Sequence, residues 1–384
     1  MKKVLLIVPL STLNWGEKNT GGVDSVCQVL LSELQNTPSK HFHYRVIAFD
    51  PTNSVASNAQ LTQVHQGLEI IQYNVAANTT NKWLKMPSLC YQLSIIRKEI
   101  KHYQADIIHS HLISWLIFLG AKAPLLATLH SYKKICRKPQ GRLNNFLYER
   151  LIPFIAPYFI TRYTCVSRFL KKQVEPELNE PIDVVYNPLN PLFFTSRKPE
   201  LSNDTIRLVT CALLTPRKGI HHIIEVVECI NKQNVNVELV VIGAQSSPVY
   251  FKQLTALILK KGLQEKITFV GSKSTAQIIS LYLKSHVGVF LSSQETFGLV
   301  PLEMLATGLK VVSSNTGIVN DFYEHNIFGD HLHIMDSKDY EAIADKIVNI
   351  AKSPLDSGSL IEETFLPSHI LQSYEACYRK MVNK

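Results

Sequence analysis

The chain has 384 residues, 46% of them hydrophobic, and a formal net charge of +9, ample material for two domains of ordinary size. No apolar run reaches the 18 or so residues of a membrane span, and the opening ten residues are too short and strand-like for a signal peptide. Seven scattered cysteines without C-x-x-C spacing argue against a disulfide framework or zinc site, and for a reducing, cytoplasmic compartment.

Lys3–Pro9 is a continuous apolar run, the usual opening strand of a doubly wound sheet. A polar loop follows, ending in Thr20, Gly21 and Gly22. Then Val23, Val26, Cys27, Leu30, Leu31 and Leu34 recur at helical spacing. A strand, two glycines and a helix start form a place where backbone can approach a ligand closely. The pattern is not G-x-G-x-x-G, so no dinucleotide fingerprint is read.

Tyr44–Asp50 and Leu68–Asn74 are predicted strands. Lys82–Tyr103 is a basic amphipathic helix, or two broken at Pro87, with Leu89, Leu93, Ile96 and Ile100 set against Lys82, Lys85, Arg97, Lys98 and Lys101. It could lie on a membrane or pack on its own sheet. Residues 82–150 carry 12 Lys and Arg against 3 Asp and Glu, whereas residues 191–384 hold 19 of each. No nucleic-acid-binding module accompanies this excess, so nucleic acid is not expected. A solvated basic face remains open. An anionic membrane surface or anionic acceptor fits better, at about 1 kcal/mol per basic residue near such a surface.

Ala105–His109 and Leu125–Leu129 read as strands that run into His109 and His111, and into His130. Ligands of α/β sheets gather at such ends. From Arg142 to Ile160 a helix carries Phe146, Tyr148, Phe154, Tyr158 and Phe159 among basic residues. It reads equally as a partly buried helix and as a surface for a lipid-linked acceptor. Tyr163–Ser167, a helix over Arg168–Val174 and Ile182–Tyr186 close this half.

Asn187, Pro188, Leu189, Asn190 and Pro191 form a linker of turn formers. Arg207–Leu213 opens a second sheet, followed by a turn with Arg217, Lys218 and Gly219 and a helix from Ile220. Two cations at a strand-to-helix turn suit a diphosphate, though exposed turn cations would read the same. Glu238–Gly243 and Ile267–Gly271 are strands ending at glycines. The tail, Pro367–Val382, is a helix with Ile370, Leu371, Tyr374, Cys377 and Tyr378 on one face.

The most informative stretch is Val287 to Ser314, a β-α-β unit. Val287–Leu291 and Lys310–Ser314 are buried-type strands, and Leu299–Ala306 is the helix between them, with Pro301 in its first turn. Glu295 lies in the loop and Glu303 on the helix, eight positions apart and roughly 10 Å along the axis. That is too far to share a proton. It suits one long ligand held at both ends, with an anion at the helix start near Gly298. A solvated loop Glu beside a surface Glu is the alternative.

Glu295, Phe297-Gly298-Leu299-Val300-Pro301-Leu302 and Glu303 resemble the E-x7-E signature of retaining glycosyltransferases of family 4. The resemblance is strongest from Arg207 to Gly329. It implies the GT-B fold, two Rossmann-like domains with doubly wound parallel sheets facing across a cleft. Residues 1–190 would be the acceptor side and 191–365 the nucleotide-sugar domain, with 366–384 packing back on the first. It further implies transfer of a sugar from a UDP- or GDP-linked donor, as substrate, to a hydroxyl acceptor, with no cofactor and no metal. The basic segment, not the resemblance, suggests the acceptor: a polysaccharide or lipid-linked glycan at the cytoplasmic face of a membrane.

By resemblance Glu303 would hold the ribose and Glu295 the sugar hydroxyls. Backbone amides from Thr296 and Phe297 through Gly298, Leu299 and Val300, with Arg217 and Lys218, would stabilise the leaving diphosphate. His130 takes the position that contacts the donor sugar near the reaction centre. Gly21 and Gly22 would line the diphosphate side, and Gly271, Ser272 and Lys273 the base. The chain departs from the family at Ala212-Leu213-Leu214, where relatives read Gly-Arg-Leu. That departure supports an alternative: a non-catalytic GT-B protein serving as partner or chaperone of an active transferase.

Overall fold

The computed structural model describes residues 1–12, 21–55, 60–76, 87–133, 141–178, 180–195, 204–323, 328–352, 361 and 363–382. The chain divides into two compact units, Met1–Pro188 with Phe365–Lys384, and Leu189–Thr364. Each is built on one sheet with helices from the intervening segments.

The first unit opens with β1 (Lys2–Pro9), α1 (Gly22–Asn36), β2 (Phe42–Asp50), β3 (Gln60–His65) and β4 (Leu68–Asn74). It continues with α2 (Ser88–Tyr103), β5 (Ile107–Ser110), β6 (Leu125–Leu129), α3 (Arg142–Phe146), α4 (Ile152–Ile155), β7 (Arg162–Cys165), α5 (Arg168–Val174) and β8 (Ile182–Val184). The strand order is β3-β4-β2-β1-β5-β6-β7-β8, parallel except for the β3–β4 pair. The buried runs of β1 and β2 explain their central place, since parallel strands are covered on both faces. Pro87 stands immediately before α2, where a proline without an amide suits a helix start. Residues 82–86, the loop 13–20 and residues 134–140 lie outside the described residues.

The second unit holds β9 (Ile206–Cys211), α6 (Ile220–Lys232), β10 (Val237–Ile242), α7 (Pro248–Lys260), β11 (Ile267–Gly271), α8 (Thr275–Leu283) and β12 (Val287–Phe290). It ends with α9 (Leu299–Ala306), β13 (Lys310–Ser313), α10 (Ile318–Tyr323), β14 (Leu332–Ile334) and α11 (Tyr340–Ala351). All six strands are parallel, in the order β11-β10-β9-β12-β13-β14. Leu208, Leu239, Val241, Val287 and Val289 of the sheet interdigitate with Ile220, Ile223, Ile224, Val227 and Ile347 of the helices. The last helix, α12 (Pro367–Val382), belongs to the first unit, where it meets α1 and β5.

Two strands carry no clear sequence signal. Most of β3 is exposed or half-buried and polar, and β14 has three residues. Their neighbours in the sheet, not their own apolar pattern, hold them.

Candidate functional site

In both sheets the strand order reverses beside the first strand, between β1 and β5 and between β9 and β12. At such a point neighbouring strands send their connections in opposite directions, which leaves a crevice at the carboxyl ends.

At the β9/β12 reversal, β9 leads into a tight turn, Pro216–Lys218, closed by Gly219 at φ +67°. A Cβ on Gly219 would overlap the Leu291 carbonyl oxygen, so only glycine lets this turn lie against the end of β12. The close approach is fixed by hydrogen bonds. The Ser293 amide donates to the Arg217 carbonyl oxygen at 2.8 Å. As a result the Lys218 ammonium stands 2.6 Å from Glu295 Oε1 and 5.6 Å from the centroid of the Phe290 ring.

Glu295 is buried, and the Ser292 hydroxyl donates to the same Oε1 at 2.6 Å. Among the described residues nothing bonds Oε2. Gly317, at φ +60°, packs on this loop so closely that a Cβ would overlap the Phe297 carbonyl oxygen and lie 2.9 Å from Glu295 Cβ. The Ile318 amide donates to that Phe297 carbonyl at 2.6 Å. The loop carrying Glu295 is therefore clamped from both sides.

Glu303 lies on α9, just beyond this loop. No hydrogen bond or ion pair to its carboxylate occurs among the described residues. Burial pushes its carboxyl up to about 7, against the opposing charge of Lys218. The N-terminus of α9 has no side-chain cap, so its first amides are unpaired within the helix. Among the described residues, buried Arg217 Nη1 has no hydrogen-bond partner. Leaving such a donor unmet costs roughly 1–3 kcal/mol or more for a charged group. Lysine, guanidinium nitrogen and helix amides thus all offer positive potential, flanked by two carboxylates.

The sequence-predicted residues are placed unequally. Lys218 and Glu295 are joined directly, and Arg217 shares the turn of Lys218. Phe297 is buried, and its carbonyl serves the clamp rather than the solvent side. Gly271, Ser272 and Lys273 are exposed at the end of β11, two strands from β9. Ser292 and Ser314 were not marked by the sequence. The Ser314 hydroxyl holds the Ser292 carbonyl at 2.6 Å, and the only clue was the position of Ser292 three residues before Glu295.

At the β1/β5 reversal the chemistry differs. Asp24 of α1 is buried and accepts from the Ser11 amide at 2.8 Å and the Ser11 hydroxyl at 2.7 Å, tying the end of β1 to the helix. Gly21 and Gly22 stand at the start of α1, and among the described residues nothing lies within 4 Å of where their side chains would project. His111 Nδ1 and His130 Nε2 are 2.9 Å apart, and the two rings stack at 5.1 Å. His109 lies inside β5 and not at its end, a correction to the strand limits read from sequence. It is held by Tyr378 of α12 and by Thr128, each at 2.7 Å. Burial lowers His109 and His130 to about 3, and burial with the neighbouring His109 and His130 holds His111 well below its ordinary value. All three rings are neutral at physiological pH.

The glycosyl transferases group 1 family model matches residues 193–364, and the glycosyltransferase family 4 model matches residues 20–191. An uncharacterized glycosyltransferase of Methanocaldococcus jannaschii, MJ1607, is 26% identical over 58% of this chain and 61% of its own length. The gpi3 subunit of the phosphatidylinositol N-acetylglucosaminyltransferase of Schizosaccharomyces pombe is 23% identical over 76% of this chain and 63% of its own length. The chain thus matches less than two thirds of either relative. Among solved structures, the sucrose-phosphate synthase of Thermosynechococcus elongatus superposes with a TM-score of 0.73 at 16% identity, covering 99% of both chains. Anabaena Alr3699/HepE in complex with UDP and glucose gives 0.67 at 17% identity, covering 99% of this chain and all of that one.

Proposed function

The chain belongs to the GT-B glycosyltransferases of the group 1 and family 4 type, and from that premise we propose that it is a retaining transferase. It would move a hexose or related sugar from a UDP- or GDP-linked donor to a hydroxyl of a glycan or lipid-linked acceptor. The observation that carries this reading is the convergence of Lys218, Glu295 and the uncapped start of α9 at the β9/β12 reversal. Glu303 would take the ribose hydroxyls, and Oε2 of Glu295 the hydroxyls of the sugar. Lys218, Arg217 and the first amides of α9 would take the diphosphate. Charge that builds on a departing phosphate is where fixed donors contribute most.

In the step itself the bond from the anomeric carbon to the phosphate oxygen breaks, and a bond to the acceptor oxygen forms on the same face. The acceptor proton passes to the departing diphosphate. His130, neutral and held by His111, would meet the donor sugar. The cytoplasmic face of a membrane is the proposed setting, and neither metal nor cofactor enters the scheme.

Protection from thermal unfolding by UDP, GDP and their sugars tests this directly, since a bound ligand stabilises as the logarithm of its concentration over Kd. A shift with one nucleotide, lost in Glu303→Ala, is the expected result. The Ala212-Leu213 departure favours the second reading, a non-catalytic partner of an active transferase. The absence of any nucleotide shift, together with a stable heteromeric complex, would select it.

A further inference from the structure

Two stretches of the basic segment are amphipathic, and the structure separates them. In α2 the apolar residues Leu93, Ile95 and Ile96 are buried. That helix is spent on its own unit. The stretch 142–158 is different. It is continuous, α3 passing into a π-helical turn over Leu147–Leu151, then α4, then a 3-10 turn over Ala156–Tyr158. Ile152, Pro153 and Ala156 anchor one side. On the other, Leu143 is 80% exposed, Phe146 53%, Leu151 39%, Phe154 70% and Tyr158 79%.

These five follow steps of three, five, three and four residues. In an α-helix the five-residue step would turn Leu151 about 140° away from Phe146. The i→i+5 bonding of the π-turn instead brings residues five apart over one another. Pro153, which cannot donate to Glu149 in an α-helix, accounts for the irregularity just before it. The π-turn therefore keeps one apolar stripe aligned through the whole stretch. Phe154 and Tyr158 meet edge to face at 6.4 Å.

Arg142 and Arg150 are exposed on the same stretch. Phe118, 52% exposed, adjoins it through Phe159 at 4.9 Å, and Arg97 of α2 grips the Phe118 carbonyl oxygen at 3.0 Å. Aromatic and leucine side chains flanked by arginine, with few acids, match the chemistry of an anionic lipid surface. Solvated protein faces rarely leave so much contiguous apolar surface.

We propose that the stripe Leu143, Phe146, Leu151, Phe154 and Tyr158 inserts into the headgroup region of an anionic bilayer, with Arg142 and Arg150 at the phosphates. This deepens the membrane-face reading above and names the surface that would hold the enzyme beside a lipid-linked acceptor.

Co-sedimentation of the full chain with vesicles tests it. One set is phosphatidylcholine alone, and the other contains phosphatidylglycerol as roughly a quarter of the lipid. Binding at least about tenfold tighter to the anionic set is expected, with a loss of about tenfold or more in Phe154→Ser/Tyr158→Ser. Leu259→Ser, an exposed apolar position of α7, should change nothing. No binding of the unaltered chain to anionic vesicles overturns the bilayer as occupant, and full binding by the double variant overturns the stripe. Nucleotide protection, read on the same variants, should be unaltered. Its absence in every variant and in the unaltered chain would count against the transferase reading while leaving the surface result standing.

Discussion

The two sheets reverse strand order at equivalent places, yet fill those places with opposite chemistry. At the β9/β12 reversal stand a lysine, an arginine and two carboxylates within one clamped group of loops. At the β1/β5 reversal stand stacked, buried, uncharged histidines, beside a carboxylate, Asp24, that is already bonded to Ser11. One topology thus supports a place rich in cations and a place without any among the described residues, the second built on neutral rings. The fold provides the crevice; a few side chains decide what it holds.

The sharpest way to break this contrast is to discharge the second unit. Lys218→Ala should lower kcat on the order of 10²- to 10³-fold in a sugar-transfer assay, the loss seen when one fixed donor to a developing anion is removed. Full activity would mean that the charge at β9/β12 is structural.

Next in size is the clamp itself. Gly317→Ala places a methyl against the Phe297 carbonyl at a left-handed backbone position. It should cost about 1–3 kcal/mol in denaturant unfolding and weaken nucleotide protection. An unchanged midpoint would show that the Glu295 loop relaxes freely.

A third test uses pH. Glu303 is raised in the folded state to about 7, above its ordinary value, so the protonated form is the one the fold favours. Its contribution to stability is present at low pH and lost as pH rises through about 7. Glu303→Gln should remove this fall, so that its melting temperature climbs relative to that of the unaltered chain between pH 5 and 8. In the unaltered chain donor affinity should rise across the same window, as the carboxylate needed for ribose hydroxyls forms. The buried neutral histidines of the first unit act in the opposite sense, because they take up protons only on unfolding and so add stability as pH rises through their ordinary value of 6.5, equally in both chains.

The smallest effect concerns those histidines. Among the described residues, buried His111 Nε2 has no partner, so a bare nitrogen there costs less than a stranded N–H. His111 Nδ1 then donates to His130 Nε2, and His130 carries its proton on Nδ1. Long-range nitrogen-proton correlation spectra of histidine-labelled protein should show this tautomer for both rings. A proton on His130 Nε2 would reverse the assignment.

Much of the second unit was legible in advance. Helices α6 and α9 begin where Gly219 and Gly298 predict, and β11 and α9 match their expected limits. Long buried parallel strands and glycine-bounded helices write strong local signals. The first unit was less legible around β3, whose polar residues are held by pairing with β4. His109 looked like a ligand-side residue, but its partners Thr128 and Tyr378 are 19 and 269 positions away. No spacing rule connects such distances.

The sequence by itself determined the strand and helix periodicity, the paired carboxylates eight residues apart and the basic bias of residues 82–150. Only the tertiary structure decided that Lys218 pairs with Glu295, that Arg217 keeps a buried nitrogen unmet, and that the exposed stripe is 142–158 rather than α2. The reason is physical. Periodicity is a property of neighbouring residues, whereas burial and charge pairing depend on which distant segments the sheet order brings together.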